Sequence, residues 1–234
     1  PIVSIFLSFY LKKNIEPKSS VSDASDISLS ESNMNSSFGR LGIQIKRLIG
    51  IMLFYGLSTY LVIIISFNLP FLMKEYGFSS GISGIMISLF FLAIMAPGLI
   101  LNKIIERLGN LTEFCSMLSI AVGILLILIF RTEWLIGLGC ILAGLGYGVI
   151  QPIAYDKTTR TAIPQKVTLA LAFVMSMNYL AILLCPFIID TIKDILNIET
   201  QQFAFIFNMI IAVITALFTY LKRNTFLFRY IYEK

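Results

Sequence analysis

The chain has 234 residues, of which 57% are hydrophobic and 13% are charged, and its formal net charge is +5. Soluble domains carry roughly a quarter charged residues, so this composition excludes an ordinary water-soluble globule and indicates a membrane protein. The sequence has no histidine, which removes the commonest general base and most zinc sites. It also lacks a nucleophile-elbow motif and a phosphate-binding loop. We therefore predict no enzyme activity, no metal site and no cofactor.

The first residues, PIVSIFLSFYL, form an apolar run of residues 1–11 that is too short to cross a hydrocarbon core of ~30 Å. Lys12 and Lys13 follow it directly, whereas a signal peptide carries its positive charge before the apolar region. We interpret residues 1–11 as the end of a truncated transmembrane helix that begins outside this sequence. Residues 12–47 are predicted to be a cytoplasmic linker, because residues 14–38 are too rich in Ser, Asp and Asn to bury a core.

The region from residue 48 to residue 221 contains six apolar runs, each close to the length that crosses a bilayer. These runs cover about 48–69, 83–101, 114–130, 135–155, 168–189 and 203–221. They are continuous and lack the alternation of barrel strands, and only helices and closed barrels satisfy their backbone groups in lipid. The sequence predicts an all-α membrane protein with a bundle of six transmembrane helices, in which neighbouring helices are antiparallel.

Lysine and arginine are distributed unequally between the gaps that separate these runs. One side of the membrane would collect Lys12, Lys13, Lys18, Arg40, Lys46, Arg47, Lys103, Arg107, Lys157, Arg160, Lys166, Lys222, Arg223, Arg229 and Lys234. The other side would carry Lys74, Arg131 and Lys193. Cytoplasmic loops carry the excess of Lys and Arg, so the linker and the tail at 222–234 are predicted to be cytoplasmic in a multi-pass protein of the cell membrane. The charges flank membrane spans and form no recognition element, which favours the lipid bilayer over nucleic acid as a partner.

The stretch LNKIIERLGN at 101–110 is then a cytoplasmic turn between the second and third helices. A truncated helix, a long hydrophilic loop and six helices resemble the major facilitator superfamily from its sixth helix onward, that is, its carboxyl-terminal half. That family has a turn of the pattern Gly-x-x-x-Asp-Arg-x-Gly-Arg/Lys at this place. Glu106, Arg107 and Gly109 stand at its Asp, Arg and second Gly positions. Asn102 and Asn110 stand where the first Gly and the last basic residue would be.

Two further stretches are similar to members of this family. FNLPFLMKEYGFSSGISGIMIS at 67–88 is similar to the end of the first helix of a half and its following loop. The segment 141–188, which begins ILAGLGYGVIQPIAY, is similar to the fourth and fifth helices of drug- or sugar-efflux members. The resemblance implies a secondary active transporter that works by alternating access. It also implies three partners, namely a small-molecule substrate, an amino-terminal six-helix half and a coupling proton or ion.

The turn residues also suggest a role by their own chemistry. Gly109 permits a positive φ where the chain re-enters the membrane, and Glu106 can stabilise a helix N-terminus. Arg107 can pair with a carboxylate or with carbonyl groups of a neighbouring helix. With the resemblance, these properties predict a cytoplasmic gate formed by Asn102, Glu106, Arg107 and Gly109. The alternative is a solvated turn that only sets the topology.

Polar side chains inside the apolar runs are the candidates for a substrate cavity. An unpaired amide is costly in hydrocarbon, so Asn178, near mid-depth, must face protein or a water-filled cavity. Small residues allow close helix approach in bilayers, and we expect this of Gly139, Gly144 and Gly148. The alternative role for the polar residues is hydrogen bonding between helices. The predicted cavity residues are Tyr55, Thr59, Tyr147, Gln151, Asn178 and Tyr179.

Charged residues lie at the ends of the predicted spans and not deep inside them. Proton coupling needs a titratable group in the transport path, so we expect that group in the amino-terminal half. A neutral wall favours a lipophilic or uncharged substrate. Two alternatives remain, a permease subunit of an ATP-driven transporter and a non-transporting membrane scaffold. An intramembrane enzyme is disfavoured, because no histidine, serine elbow or deep pair of aspartates is present.

Overall fold

The computed structural model describes residues 43–198, 200–225 and 227, and in this part of the chain the fold is helical. The helices are α1 (Ile45–Glu75), α2 (Ser80–Leu108), α3 (Thr112–Ile129), α4 (Glu133–Thr159), α5 (Val167–Leu196) and α6 (Gln202–Leu221). Short 3-10 turns cover Gly109–Leu111 and Pro164–Lys166. No β-strand occurs in this part, although one isolated bridge pairs Ile43 with Ala162. The predicted helix end at 1–11 lies outside the described residues.

Five continuous helical segments are long and apolar enough to cross a membrane among these residues. One of them, Ser80–Ile129, contains both α2 and α3, which the 3-10 turn joins. The prediction of an all-helical membrane fold is therefore confirmed, and the number of six spans stays a prediction. The helices extend beyond the predicted apolar runs because polar residues at their ends continue the helix. In particular, α1 begins at Ile45, within the segment predicted to be linker.

The direction of α2 and α3 follows from their contacts with α4. The closest backbone neighbours are Phe90–Gly144 and Ile94–Gly148 between α2 and α4, and Ser116–Gly146 and Gly123–Gly139 between α3 and α4. In the two α2–α4 pairs the residue numbers of both helices increase together, so α2 and α4 run parallel. In the two α3–α4 pairs one number increases while the other decreases, so α3 and α4 run antiparallel. The chain therefore reverses between α2 and α3, at Gly109. This residue has φ +52°, a conformation that favours glycine, and the predicted positive φ is confirmed.

Helix α4 lies at the centre of the bundle because glycines open two of its faces. A Cβ atom at Gly139 would lie 2.6 Å from the carbonyl oxygen of Gly123 on α3. A Cβ atom at Gly144 would lie 2.5 Å from the carbonyl oxygen of Phe90 on α2. Such distances leave no room for a side chain, so the backbones of α2 and α3 touch α4 directly. The close approach predicted for Gly139, Gly144 and Gly148 is confirmed.

The remaining helices alternate in direction in the same way. The contacts that show this are Tyr55–Tyr155 and Thr59–Tyr147 between α1 and α4, Gly56–Met177 and Tyr60–Cys185 between α1 and α5, and Phe114–Tyr220 between α3 and α6. Four segments rich in Lys and Arg consequently meet at one end of the bundle. We call it the basic end, and it consists of segments 43–47, 102–113, 156–167 and 222–225 together with Leu227.

The opposite end is held by polar contacts between connections. The Tyr76 hydroxyl donates a hydrogen bond to the Leu128 carbonyl at 3.0 Å, and the Arg131 guanidinium lies 5.2 Å from the centre of the Tyr76 ring. Burial raises the pKa of the Tyr76 phenol, against the lowering effect of Arg131. The Gln201 backbone N–H donates to the Glu75 carboxylate at 3.0 Å. These contacts tie the end of α1 to the α3–α4 connection and to the start of α6.

The glycine contacts of α4 lead to a stability prediction. Gly139→Ala should lower the free energy of unfolding by about 1–3 kcal/mol, because the added methyl group forces two backbones apart. Gly84→Ala is the matched control, since nothing lies within 4 Å of its added Cβ. The midpoint of thermal unfolding in detergent measures both effects. Equal midpoints for the two variants would contradict the direct backbone contact.

Candidate functional site

Five side chains from three helices form a connected polar cluster inside the bundle. We call Tyr55, Thr59, Tyr147, Tyr155 and Asn178 the tyrosine–asparagine cluster. The Thr59 hydroxyl donates to Asn178 Oδ1 at 2.6 Å, and the Tyr147 hydroxyl donates to the same oxygen at 3.1 Å. The Tyr147 hydroxyl also lies 3.3 Å from the Tyr55 hydroxyl, which in turn lies 3.1 Å from that of Tyr155. The cluster therefore joins α1, α4 and α5 through neutral groups.

Aromatic packing fixes the three tyrosine rings of the cluster. The rings of Tyr55 and Tyr147 are stacked, with centroids 6.2 Å apart and an interplanar angle of 6°. The Tyr155 ring meets Tyr55 edge-on at 5.6 Å and 69°. Offset-stacked and edge-to-face pairs are the favoured geometries of aromatic rings. The hydroxyl groups are thus held in place by ring packing as well as by hydrogen bonds.

The protons of the cluster have more than one arrangement. The Thr59 hydroxyl has one proton but three oxygen neighbours, namely Asn178 Oδ1 at 2.6 Å, the Tyr147 hydroxyl at 2.9 Å and the Tyr55 carbonyl at 3.0 Å. A hydroxyl donates once and accepts through its lone pairs. When Thr59 donates to the Tyr55 carbonyl, Tyr147 remains as the donor to Asn178. The network can therefore exchange donors without a movement of the helices.

Asn178 is the member of the cluster that can bind a further group. Its oxygen accepts two hydrogen bonds, whereas its amide nitrogen donates to no residue in the described part of the chain. The side chain is partly exposed, and the neighbouring Tyr179 is 68% exposed. Polar groups within a membrane span face a protein interior or a water-filled cavity. This amide is therefore a donor for a ligand or for another protein element.

The structure brings together four of the six predicted cavity residues. Tyr55, Thr59, Tyr147 and Asn178 belong to the cluster, and Tyr155 joins them. Gln151 is half-buried on α4 and makes no hydrogen bond with the cluster. Tyr179 points away from it, as its exposure shows. Among the described residues, no group of three His, Cys, Asp or Glu side chains is placed to hold a metal ion.

The predicted gate residues lie on the surface of the basic end. Asn102, Glu106 and Arg107 are exposed, and no salt bridge joins Glu106 or Arg107 to another described residue. Glu106 lies in the last turn of α2, whereas we expected it near a helix N-terminus. Because α2 continues to Leu108, Glu106 does not lie in the first turn of a described helix. The acidic residue in the first turn of α3 is Glu113, which suits the positive end of the helix dipole.

A buried ion pair at this end of the bundle was not predicted from the sequence. Lys157 Nζ lies 2.5 Å from Glu113 Oε1, and the two residues are 5% and 4% exposed. The sequence places Lys157 among the charges of the predicted cytoplasmic side but does not predict that α3 and α4 bury it between them. The sequence contains only a weak indication of this pair. Glu113 directly precedes the apolar run 114–130, and Lys157 lies two residues after the run 135–155. Burial of an ion pair is costly unless its geometry is good, so this contact defines how the ends of α3 and α4 pack.

The cluster leads to a second prediction. Tyr147→Phe should keep the ring stack but remove the hydrogen bonds to Thr59 and Asn178. We expect a loss of about 1–2 kcal/mol in stability, the range of interhelical hydrogen bonds in membranes. Tyr179→Phe is the control, because its exposed hydroxyl is outside the cluster. Thermal unfolding of the two purified variants, measured side by side, gives the difference. A Tyr147 variant as stable as the control would show that these bonds contribute little.

Comparison with known proteins identifies the family. The model of the Major Facilitator Superfamily matches residues 48–227, which includes α2–α6 and nearly all of α1. A search of curated proteins found no match. The family match covers more than half of the sequence and includes every residue of the tyrosine–asparagine cluster. The chain therefore belongs to the Major Facilitator Superfamily, whose members are secondary membrane transporters and not enzymes.

Proposed function

We propose that this chain is the carboxyl-terminal half of a secondary active transporter that resembles drug- or sugar-efflux members. In this proposal, two halves rock about a site near the bilayer midplane, and the tyrosine–asparagine cluster supplies one wall of that site. The proposal depends on one observation above all: Asn178 has an unused amide donor on the partly exposed face of a spanning helix. Export and import are both compatible with this arrangement.

The chemistry of the cluster favours a small, neutral or lipophilic solute. Its five side chains offer hydroxyl and amide groups but no formal charge. The surrounding exposed face of α5 is apolar and includes Phe173 and Met175, which are 46% and 42% exposed. A solute with an apolar body and one acceptor group would match this surface. Titratable groups for a coupling proton or ion would then belong to the other half.

The exposed faces of α2 and α5 suggest where that other half binds. In the most apolar 18-residue stretch of the segment that contains α2, only 22% of the residues are buried. In the corresponding stretch of the segment that contains α5, only 17% are buried. Lipid can cover the apolar residues, but it cannot satisfy the Asn178 amide. We therefore propose that α5 faces an amino-terminal six-helix half across a cavity. The two halves together would form a transporter with twelve membrane spans. By the positive-inside rule, the basic end faces the cytoplasm of the cell.

The transport proposal is tested with two neutral probes. Cells that express the full-length protein would be loaded with Nile red, a neutral lipophilic dye, and its efflux measured. Uptake of a radiolabelled neutral sugar would be measured in parallel. We expect one probe to move faster than in cells without the protein. Asn178→Ala should reduce that rate by about tenfold, the effect of losing one hydrogen bond of roughly 1.4 kcal/mol, while surface expression stays normal.

Two comparisons make this test specific. Gln151→Ala should reduce transport less than Asn178→Ala, because Gln151 lies outside the cluster. Normal transport by the Asn178 variant would show that the residue is structural. If neither probe moves in the wild-type protein, the proposed substrate class is wrong.

The surface of the basic end supports a second part of the proposal. We propose that Asn102, Glu106, Arg107 and Gly109 form a cytoplasmic gate that binds the other half in one conformation. The exposure of Glu106 and Arg107 in this half leaves both charges accessible to such a partner. An interaction present in one state only shifts the equilibrium by its own energy. Gly109 supports the gate by reversing the chain beside these charges.

The gate leads to a prediction for Glu106→Gln. A partly exposed charge-assisted contact contributes about 1–3 kcal/mol, so its loss should change the inward-to-outward ratio by roughly 5- to 150-fold. Labelling of a cysteine at position 179 from each side of the membrane measures that ratio. Lys103→Gln is the control, because it removes a basic residue of the same turn that is not part of the proposed gate. It should leave the inward-to-outward ratio unchanged. An unchanged ratio in the Glu106 variant would leave only a solvated turn.

A further inference from the structure

The buried lysine at the basic end has a second partner, which comes from the segment after α6. Lys157 Nζ donates a hydrogen bond to the backbone carbonyl of Leu227 at 2.5 Å, in addition to its ion pair with Glu113. The Leu227 side chain packs against α1, where its methyl carbons lie 3.7 and 3.8 Å from the position of a Cβ at Gly50. Leu227, which follows α6 in the sequence, therefore contacts both α1 and α4.

The local backbone explains how the chain reaches this position. Helix α6 ends at Leu221, and the Lys222 backbone N–H still bonds to the Phe218 carbonyl at 3.0 Å. A turn follows, closed by the Thr225 N–H and the Lys222 carbonyl at 2.9 Å. This turn directs the chain back across the end of the bundle. Leu227 then lies partly buried against the hydrophobic core.

We propose that residues 222–225 and Leu227 form a strap that Lys157 fastens across the basic end of the bundle. The strap links the end of α6 to α1 and α4, and Lys157 holds it through the Leu227 carbonyl. Glu113 provides the opposite charge that pairs with this buried lysine. Release of the strap would remove Leu227 from its place beside Gly50 on α1. This conformational device is distinct from the exposed gate and does not depend on the proposed substrate.

Other contacts at this end show why the strap has a separate role. The segment before α1 is already tied to the α4–α5 connection, since the Gln44 N–H donates to the Thr161 carbonyl at 2.8 Å. Helix α6 has no such backbone bond to that connection among the described residues. At the basic end, the strap therefore adds a link between α6 and the α1–α4 pair to the contact that Gln201 makes with Glu75 at the opposite end. The link consists of the hydrogen bond from Lys157 and the packing of the Leu227 side chain. Each of the two can be removed by its own substitution.

The strap is tested by the distance between two spin labels in the full-length protein, reconstituted in lipid nanodiscs. Labels at Lys46 and Asn224, both exposed, report the separation of α1 and the strap after the native cysteines have been replaced. We expect a single narrow distance distribution in this background. Gly50→Ala should leave it unchanged, because the added methyl group reaches Leu227 at ordinary van der Waals distance.

Three variants then separate the contributions. The double variant Lys157→Met with Glu113→Leu removes the donor without leaving a buried unpaired charge, and such replacements are often tolerated. It should raise the ratio of released to fastened strap by roughly tenfold to a hundredfold, the effect of one charged hydrogen bond. Leu227→Ala should release the strap in the same direction. Glu113→Gln removes the ion pair but keeps the Lys157 donor and a polar group beside it, so it should release the strap less than the double variant does.

Two results would overturn the proposal. One is an unchanged distance distribution in the double variant, since Lys157 would then not hold the strap. The other is equal release in Glu113→Gln and in the double variant, because the ion pair and not the Leu227 carbonyl would then matter. Both measurements are made without a substrate. A failure of the transport proposal therefore leaves them interpretable, and a failure of the strap leaves the transport assay unaffected.

Discussion

The approach of two helix backbones to α4 is the constraint on which the rest of this bundle depends. Glycine at positions 139 and 146 brings α3 to backbone contact, and glycine at 144 and 148 does the same for α2. Without a hydrophobic driving force in lipid, helices associate through such close packing and through hydrogen bonds. Two faces of α4 are thereby used for packing against α2 and α3. The remaining face carries Tyr147 and Tyr155 towards α1, and this is the face on which the polar cluster forms.

The cluster in turn joins the packed helices to a helix with a large exposed surface. Thr59 and Tyr147 both bond the oxygen of Asn178, so α1 and α4 jointly hold one residue of α5. Hydrogen bonds in a chain strengthen one another in a low-dielectric interior. A group that accepts from the Asn178 amide nitrogen would therefore strengthen the bonds at its oxygen. Asn178 therefore couples α5 to both α1 and α4 through uncharged groups.

The class of the protein and the approximate place of its helices could be predicted from the sequence, because repeated apolar runs of spanning length are typical of membrane helices and rare in soluble domains. Close packing at Gly144 could also be predicted, since small residues on one helix face have a known use. The bond between Thr59 and Asn178 could not, because it joins residues 119 positions apart. The burial of Glu113 was missed for a local reason. The predicted span began at 114, whereas α3 begins at Thr112 and places this carboxylate in its first turn.

Two kinds of charge lie at this end of the bundle, one on each side of Gly109. Glu106 and Arg107 precede Gly109 and are exposed, so they can exchange partners at little cost in desolvation. Glu113 follows Gly109 and is buried with Lys157, and a buried charge that loses its partner is strongly destabilising. The buried pair therefore belongs to the packed part of this bundle, whereas the two exposed charges are suited to contacts that form and break. The reversal of the chain at Gly109 therefore places exposed charges before the turn and a buried ion pair after it.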